Sequence, residues 1–96
     1  MKWYLLLFCA VASQAAADEA SQKAQVCFKC HGPEGRSVND LWPSLAGQKK
    51  DYLIKQLRDF RSGERQDTVM GPFSKSLSDN DVEILSKYFS ELKAAP

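Results

Sequence analysis

The stretch Cys27-Phe28-Lys29-Cys30-His31 decides how the rest of this chain is read. Two cysteines three positions apart fall on one side of a helical turn, and the next residue sets an imidazole beside them. This is the C-x-x-C-H pattern of covalent haem attachment, in which each thiol bonds one vinyl group and the histidine takes the iron as proximal ligand. A thioredoxin-like redox pair would need a preceding strand in an α/β frame, and none is visible before Cys27. A disulfide between Cys27 and Cys30 would close a loop too small to constrain the unfolded chain, and would leave His31 unexplained.

Toward the N-terminus, residues 1–17 read as a cleaved Sec-type secretory signal peptide. Lys2 supplies the positive charge, Trp3 to Ala12 form an apolar run too short to span a bilayer comfortably, and Ala15, Ala16 and Ala17 make a small-residue cleavage site before Asp18. A retained anchor is the alternative. Cys9 as a lipid-attachment site is disfavoured by bulky Phe8 before it. Cleavage leaves residues 18–96 as one exported domain in the periplasm, not an integral membrane protein. That segment keeps two cysteines and one histidine, one ligand short of a closed Cys/His zinc site.

The 18–96 segment carries twelve basic and twelve acidic side chains, which excludes a strongly basic nucleic-acid binder. Lys49, Lys50, Lys55, Arg58, Arg61 and Arg65 cluster mid-chain, and Asp79, Asp81 and Glu83 near the end. Solvated helix faces with helix-end preferences account for them more simply than a docking patch. So short a chain buries little core and ordinarily needs a staple. The cysteine pair is not a useful one as a disulfide; a bound cofactor is.

Three helices are expected, and no strands. The first runs from about Asp18 to Cys30, with Ala20, Ala24 and Cys27 at helical spacing. The second runs from about Lys49 to Ser62, with Leu53, Leu57 and Phe60 on one stripe, Ile54 beside them, and Gly63 as a left-handed stop. The third runs from about Asp79 to Lys93, capped by Ser78 with Asp81 in a capping-box variant, its stripe being Val82, Leu85, Phe89 and Leu92. Turn-rich loops over residues 32–47 and 63–77 separate them. The expectation is all-α: three main helices and two long loops wrapped around one haem.

His31 is the only histidine, which rules out a second imidazole on the iron from this chain. With Met1 in the leader, Met70 is the only methionine left, 39 residues beyond His31 in a Met-Gly-Pro loop. Its thioether is the candidate distal ligand, a pairing that favours reduced iron. The alternatives are a methionine filling a core gap, and an open distal site suited to gas binding.

The ordered set Cys-Phe-Lys-Cys-His-Gly at 27–32, Pro-Ser-Leu-Ala-Gly-Gln at 43–48, the run from Tyr52 to Arg65, Met-Gly-Pro-Phe at 70–73 and Leu-Ser-Asp-Asn-Asp-Val at 77–82 resembles the class I c-type cytochromes, and within them the single-haem relatives of the bacterial cytochrome c4 type. The resemblance spans essentially all of residues 18–96. It implies the class I cytochrome c fold and one covalent haem c, with Cys27 and Cys30 as thioether sites and His31 and Met70 as iron ligands. It also implies that the Pro43 carbonyl accepts from the His31 ring, that Leu45 packs on the haem, and that the first and last helices cross with Ala20 or Ala24 against Tyr88 or Phe89. Trp42, Tyr52 and the arginines are candidates for propionate contacts. The c4 type carries two such domains and this chain one, so a homodimer is one way to restore a pair. The implied role is electron transfer rather than catalysis. Its partners would be redox proteins: a membrane quinol-oxidising complex or periplasmic dehydrogenase as donor, a terminal oxidase or reductase as acceptor. The alternative is the haem subunit of a periplasmic oxidoreductase, such as a flavocytochrome sulfide dehydrogenase; an enzyme or gas sensor at an open iron is a third class.

Overall fold

Small residues and a single apolar stripe determine where the helices pack. A computed structural model describes residues 19–94, of which residues 19–31 lie in helix α1; the expected leader and its cleavage point lie outside the described residues. α1 ends because Gly32 turns into a conformation (φ 87°) in which a Cβ would collide with the Arg36 carbonyl. A 3-10 turn over Pro33–Gly35 follows, and the chain then runs irregularly to α2 (Lys50–Ser62). Gly63 stops α2 in the left-handed conformation (φ 90°), its N–H donating to Asp59 O at 3.0 Å, as its sequence position predicts.

α3 (Met70–Lys75) corrects the expectation of an uninterrupted loop over residues 63–77. Gly71 and Pro72 break helices in their interiors. Pro72, however, is the third residue of α3, where a missing N–H costs nothing because first-turn donors have no intrahelical partner. α4 (Asp79–Glu91) is opened by the expected capping box: Asp81 N donates to Ser78 Oγ at 3.0 Å and Ser78 N to Asp81 Oδ2 at 3.1 Å. It ends two residues short of Lys93, Leu92 being extended. Among the described residues there is no strand, and no helix is long and apolar enough to cross a membrane.

The core is the crossing of α1 with α4, closed by α2. Ala24, Leu53, Leu85 and Phe89 form the buried cluster, and Cys27, Phe28, Leu45, Leu77, Tyr88 and Leu92 pack around it. Ala24 is wholly inaccessible, the small residue that lets α1 approach the aromatic face of α4. Phe89 takes Tyr88 and Phe28 edge-on, ring centres 5.3 and 6.1 Å away. α2 buries Leu53 and Ile54, but Leu57 and Phe60, further along the expected stripe, are only half-buried. Some of the charges that sequence reading left on solvated faces, together with Lys23, which it did not single out, are ties between elements. Lys23 of α1 meets Asp81 at 2.8 Å, Lys50 of α2 meets Glu83 at 3.3 Å, and Arg61 of α2 meets Asp79 at 2.6 Å. Each is a modest contribution at a wet surface, yet all three converge on the first turns of α4.

Candidate functional site

Cys27, Cys30 and His31 occupy the last turn of α1, immediately before the Gly32 corner. Both thiols are half-buried and unbridged. Burial pushes the Cys27 thiol up to about 11. At neutral pH it is therefore a protonated thiol, not the activated thiolate of a redox pair or a metal-thiolate site.

His31 is 8% exposed, and its Nδ1 lies 2.7 Å from the carbonyl oxygen of Pro43. A carbonyl can only accept, so Nδ1 carries a proton and the nitrogen left to offer a lone pair is Nε2. One hydrogen bond thus orients the imidazole and leaves its other nitrogen ready to ligate a metal.

Pro43 is held there by backbone. Gly35 O accepts from both Leu45 N (2.7 Å) and Ala46 N (3.1 Å), and Gly47 N donates to Phe89 O at 2.9 Å. Ser37 N donates to Ser44 Oγ at 2.9 Å. Just after Pro43 the loop is laced to the 3-10 turn and to the end of α4, and Ser37 ties its earlier part to Ser44, which is what brings the Pro43 carbonyl to His31. Leu45, half-buried, packs on the same core cluster as Cys27.

Met70 is the first residue of α3 and half-buried. It is not among the side chains packed on the Ala24–Phe89 cluster. The structure therefore joins Cys27, Cys30, His31, Pro43 and Leu45 on one side, and carries Met70 on a separate element that packs against α2. Trp42 and Tyr52 remain 40% and 50% exposed. Arg61 is engaged with Leu77 O and Asp79, while Arg65 bonds Gln56 Oε1 at 2.6 Å and lies over the Phe60 ring at 4.5 Å. These two arginines have work within the fold.

Sequence reading missed Asp67. Its Oδ2 accepts from Val69 N at 2.9 Å and Met70 N at 2.7 Å. Those bonds hold its carboxyl below the ordinary value. The signal, an Asp shortly before a helix start, is legible only once α3 is known to begin at Met70.

The donor set fits one haem. Two unbridged, half-buried thiols three positions apart and an imidazole whose Nδ1 is taken by the Pro43 carbonyl, leaving Nε2 for a metal, are what thioether attachment and iron ligation require. The protein's own apolar interior is also small. Seven hydrophobic residues are buried among those described, two of them alanine, while Leu45, Leu57 and Phe60 are half-covered and Leu41 is 81% exposed. A flat apolar macrocycle would complete such a core.

Comparison with known proteins agrees. The family model described as cytochrome C oxidase, cbb3-type, subunit III matches residues 14–89. Cytochrome c4 of Thiocapsa roseopersicina is 41% identical over 71 residues, 74% of this chain and 36% of that protein. Cytochrome c-554(548) of Halomonas halodenitrificans is 34% identical over 82 residues, 82% of this chain and 96% of that protein. The cytochrome subunit of sulfide dehydrogenase of Chlorobaculum tepidum is 35% identical over 66 residues, 69% of this chain and 59% of that protein. Among solved structures, reduced recombinant cytochrome c4 from Pseudomonas stutzeri superposes with a TM-score of 0.65 at 44% identity, over 70% of this chain and 38% of that one. The chain thus spans between about a third and a half of the length of the cytochromes c4 it matches.

Proposed function

The chain belongs to the cytochrome c family described as cytochrome c oxidase, cbb3-type, subunit III, and from that premise we propose that it carries single electrons between larger redox proteins of the periplasm, on one covalently bound haem c. The haem supplies a reversible one-electron iron couple when bound. The chain's own residues do the rest. Cys27 and Cys30 hold the macrocycle by thioethers. His31, locked in the Nδ1–H tautomer, presents Nε2 as proximal ligand. Pro43 O keeps that ring in place and raises its basicity. Leu45 would pack on the macrocycle, and the Met70 thioether would supply the second protein ligand to the iron. With His31 and Met70 as its two protein ligands the iron would have no open site for a substrate, which supports transfer over catalysis.

The observation that carries this reading is the 2.7 Å contact between His31 Nδ1 and Pro43 O at the end of a Cys-x-x-Cys-His turn. It prepares a ligand rather than satisfying a core histidine, whose second nitrogen would also need a partner. Residues 1–17 are read as the export signal and 18–96 as the domain. The donor is a quinol-oxidising complex or a dehydrogenase and the acceptor a terminal oxidase or reductase, met through small, short-lived interfaces. The likeness to a sulfide dehydrogenase cytochrome subunit favours a second reading, a haem subunit resident in a dehydrogenase.

The test is expression of the full chain with a haem-ligation system, followed by a pyridine haemochrome spectrum and intact mass. The expected product is red and exported, weighing the chain from Asp18 plus one haem, with the absorption of two saturated vinyls. Colourless material at the bare polypeptide mass would overturn the proposal. Size-exclusion of native extract separates the two readings: a free carrier elutes at its own mass, a resident subunit with its partner.

A further inference from the structure

α3 is six residues long, too short to hold its own position by helix propensity. Its start is set from outside, almost wholly by one side chain. A helix leaves its first backbone N–H groups without intrahelical partners. Here Val69 N and Met70 N both donate to Asp67 Oδ2, at 2.9 and 2.7 Å, and Gly71 N donates to Asp67 O at 3.0 Å. Pro72 has no N–H, and Phe73 N reaches Val69 O at 3.2 Å. Asp67 therefore takes the donor of every residue at this helix start that the helix does not take itself, including that of Met70.

The segment bearing Asp67 is itself anchored. Arg65 N donates to Asp59 O at 3.0 Å, and the Arg65 guanidinium is fixed by Gln56 and by the Phe60 ring. The path from the end of α2 to Met70 is thus a short tether with two fixed points, Arg65 on α2 and Asp67 under Met70.

We propose that Asp67 is the positioning residue for the Met70 thioether: by holding the Met70 N–H it fixes where that side chain leaves the backbone, and so how firmly the sulfur stays on the iron. The inference rests on the reading of Met70 as distal ligand. In this reading Asp67 acts on the iron through the Met70 backbone, whose N–H it holds.

The haem-loaded full chain is compared with its Asp67→Ala, Asp67→Asn and Met70→Ala variants. Three properties are read: the far-red thioether-to-ferric-iron absorption band, the affinity of the ferric protein for imidazole, and the midpoint potential. In Asp67→Ala the distal bond opens more readily. Imidazole should bind roughly fivefold to tenfold more tightly, the ratio that loss of a helix-capping side chain ordinarily carries, with a weaker band and a lower potential. Asparagine keeps the accepting oxygen, so Asp67→Asn should stay within about twofold of the parent. Asp67 is exposed, so both variants should fold. An Asp67→Ala protein with lowered thermal midpoint but parental imidazole affinity and potential would make Asp67 a mere helix cap and overturn the inference alone. A parent without the band, matched by Met70→Ala in imidazole affinity, would remove the Met70 reading and the inference with it.

Discussion

Gly35 lies so close to Phe89 that a Cβ on the glycine would stand 2.7 Å from Cδ1 and 2.8 Å from Cε1 of the ring. The contact joins the loop that carries Pro43 to the aromatic centre of α4. Gly35 also holds φ 75°, and its carbonyl receives both Leu45 N and Ala46 N. Gly35→Ala therefore combines a left-handed alanine with an overpacked ring. Each is worth about 1–2 kcal/mol or more, together about 2–4 kcal/mol. Thermal unfolding of the haem-loaded protein should show this as a drop of about 10–25 °C. Adding Phe89→Leu should recover the steric share and leave the backbone share. A Gly35→Ala protein melting within a degree or two of the parent would contradict the contact.

The pairing of Lys23 with Asp81 ties the first helix to the last across 58 positions of sequence. The Lys23 ammonium, then the Ser78 N–H, hold the Asp81 carboxyl below its ordinary value. A carboxyl depressed in the folded state binds protons more weakly there than in the unfolded chain. Its stabilisation is complete above the unfolded value of about 3.9 and is lost as pH falls through the lower, folded one. Asp81→Asn should lower the thermal midpoint at neutral pH and converge with the parent as pH drops below about 4. Parallel melting curves at all pH values would show that the pair contributes nothing pH-dependent.

What could be read in advance was whatever depends on spacing. Cys27, Cys30 and His31 are legible because their chemistry requires adjacent positions, and Ser78 with Asp81, or Gly63, because caps are local. The Pro43 contact to His31 came only from family likeness, since the loop that delivers it is positioned by Gly35 and Phe89, far apart in sequence. α3 was hidden because Gly71 and Pro72 break helices in general, and only their place in a first turn makes them harmless. Asp67 was hidden for the same reason: its partners are backbone N–H groups, which leave no mark in a sequence until the helix start is known. Lys50 and Arg61 were read as solvated charges because no local pattern points them to Glu83 and Asp79, and Lys23 gave no sign of its tie to Asp81 for the same reason.

With so few large apolar side chains buried, the polypeptide alone should not hold a cooperative fold. The described core has five buried apolar residues larger than alanine: Leu53, Ile54, Val82, Leu85 and Phe89. Below about 80 residues such a core is marginal without a staple. Chain expressed without haem ligation should have low helicity by circular dichroism and no sigmoidal melt, whereas loaded protein should melt cooperatively. A sharp transition in haem-free material would show that α1, α2 and α4 suffice by themselves.

Met70→Ala separates the two parts of the site. The attachment residues sit on α1 with Pro43 and Leu45 beside them, and Met70 stands apart at the start of α3. Removing the thioether should therefore leave haem content and mass unchanged while altering the iron. A His/Met pair raises the potential relative to other axial sets, and axial ligation spans about 0.8 V across haem proteins. The variant should accordingly have a clearly lower midpoint potential, and its ferrous form should bind carbon monoxide readily where the parent does not. Equal potentials and equal carbon monoxide binding would reduce Met70 to a packing residue and reopen the distal position as a ligand site.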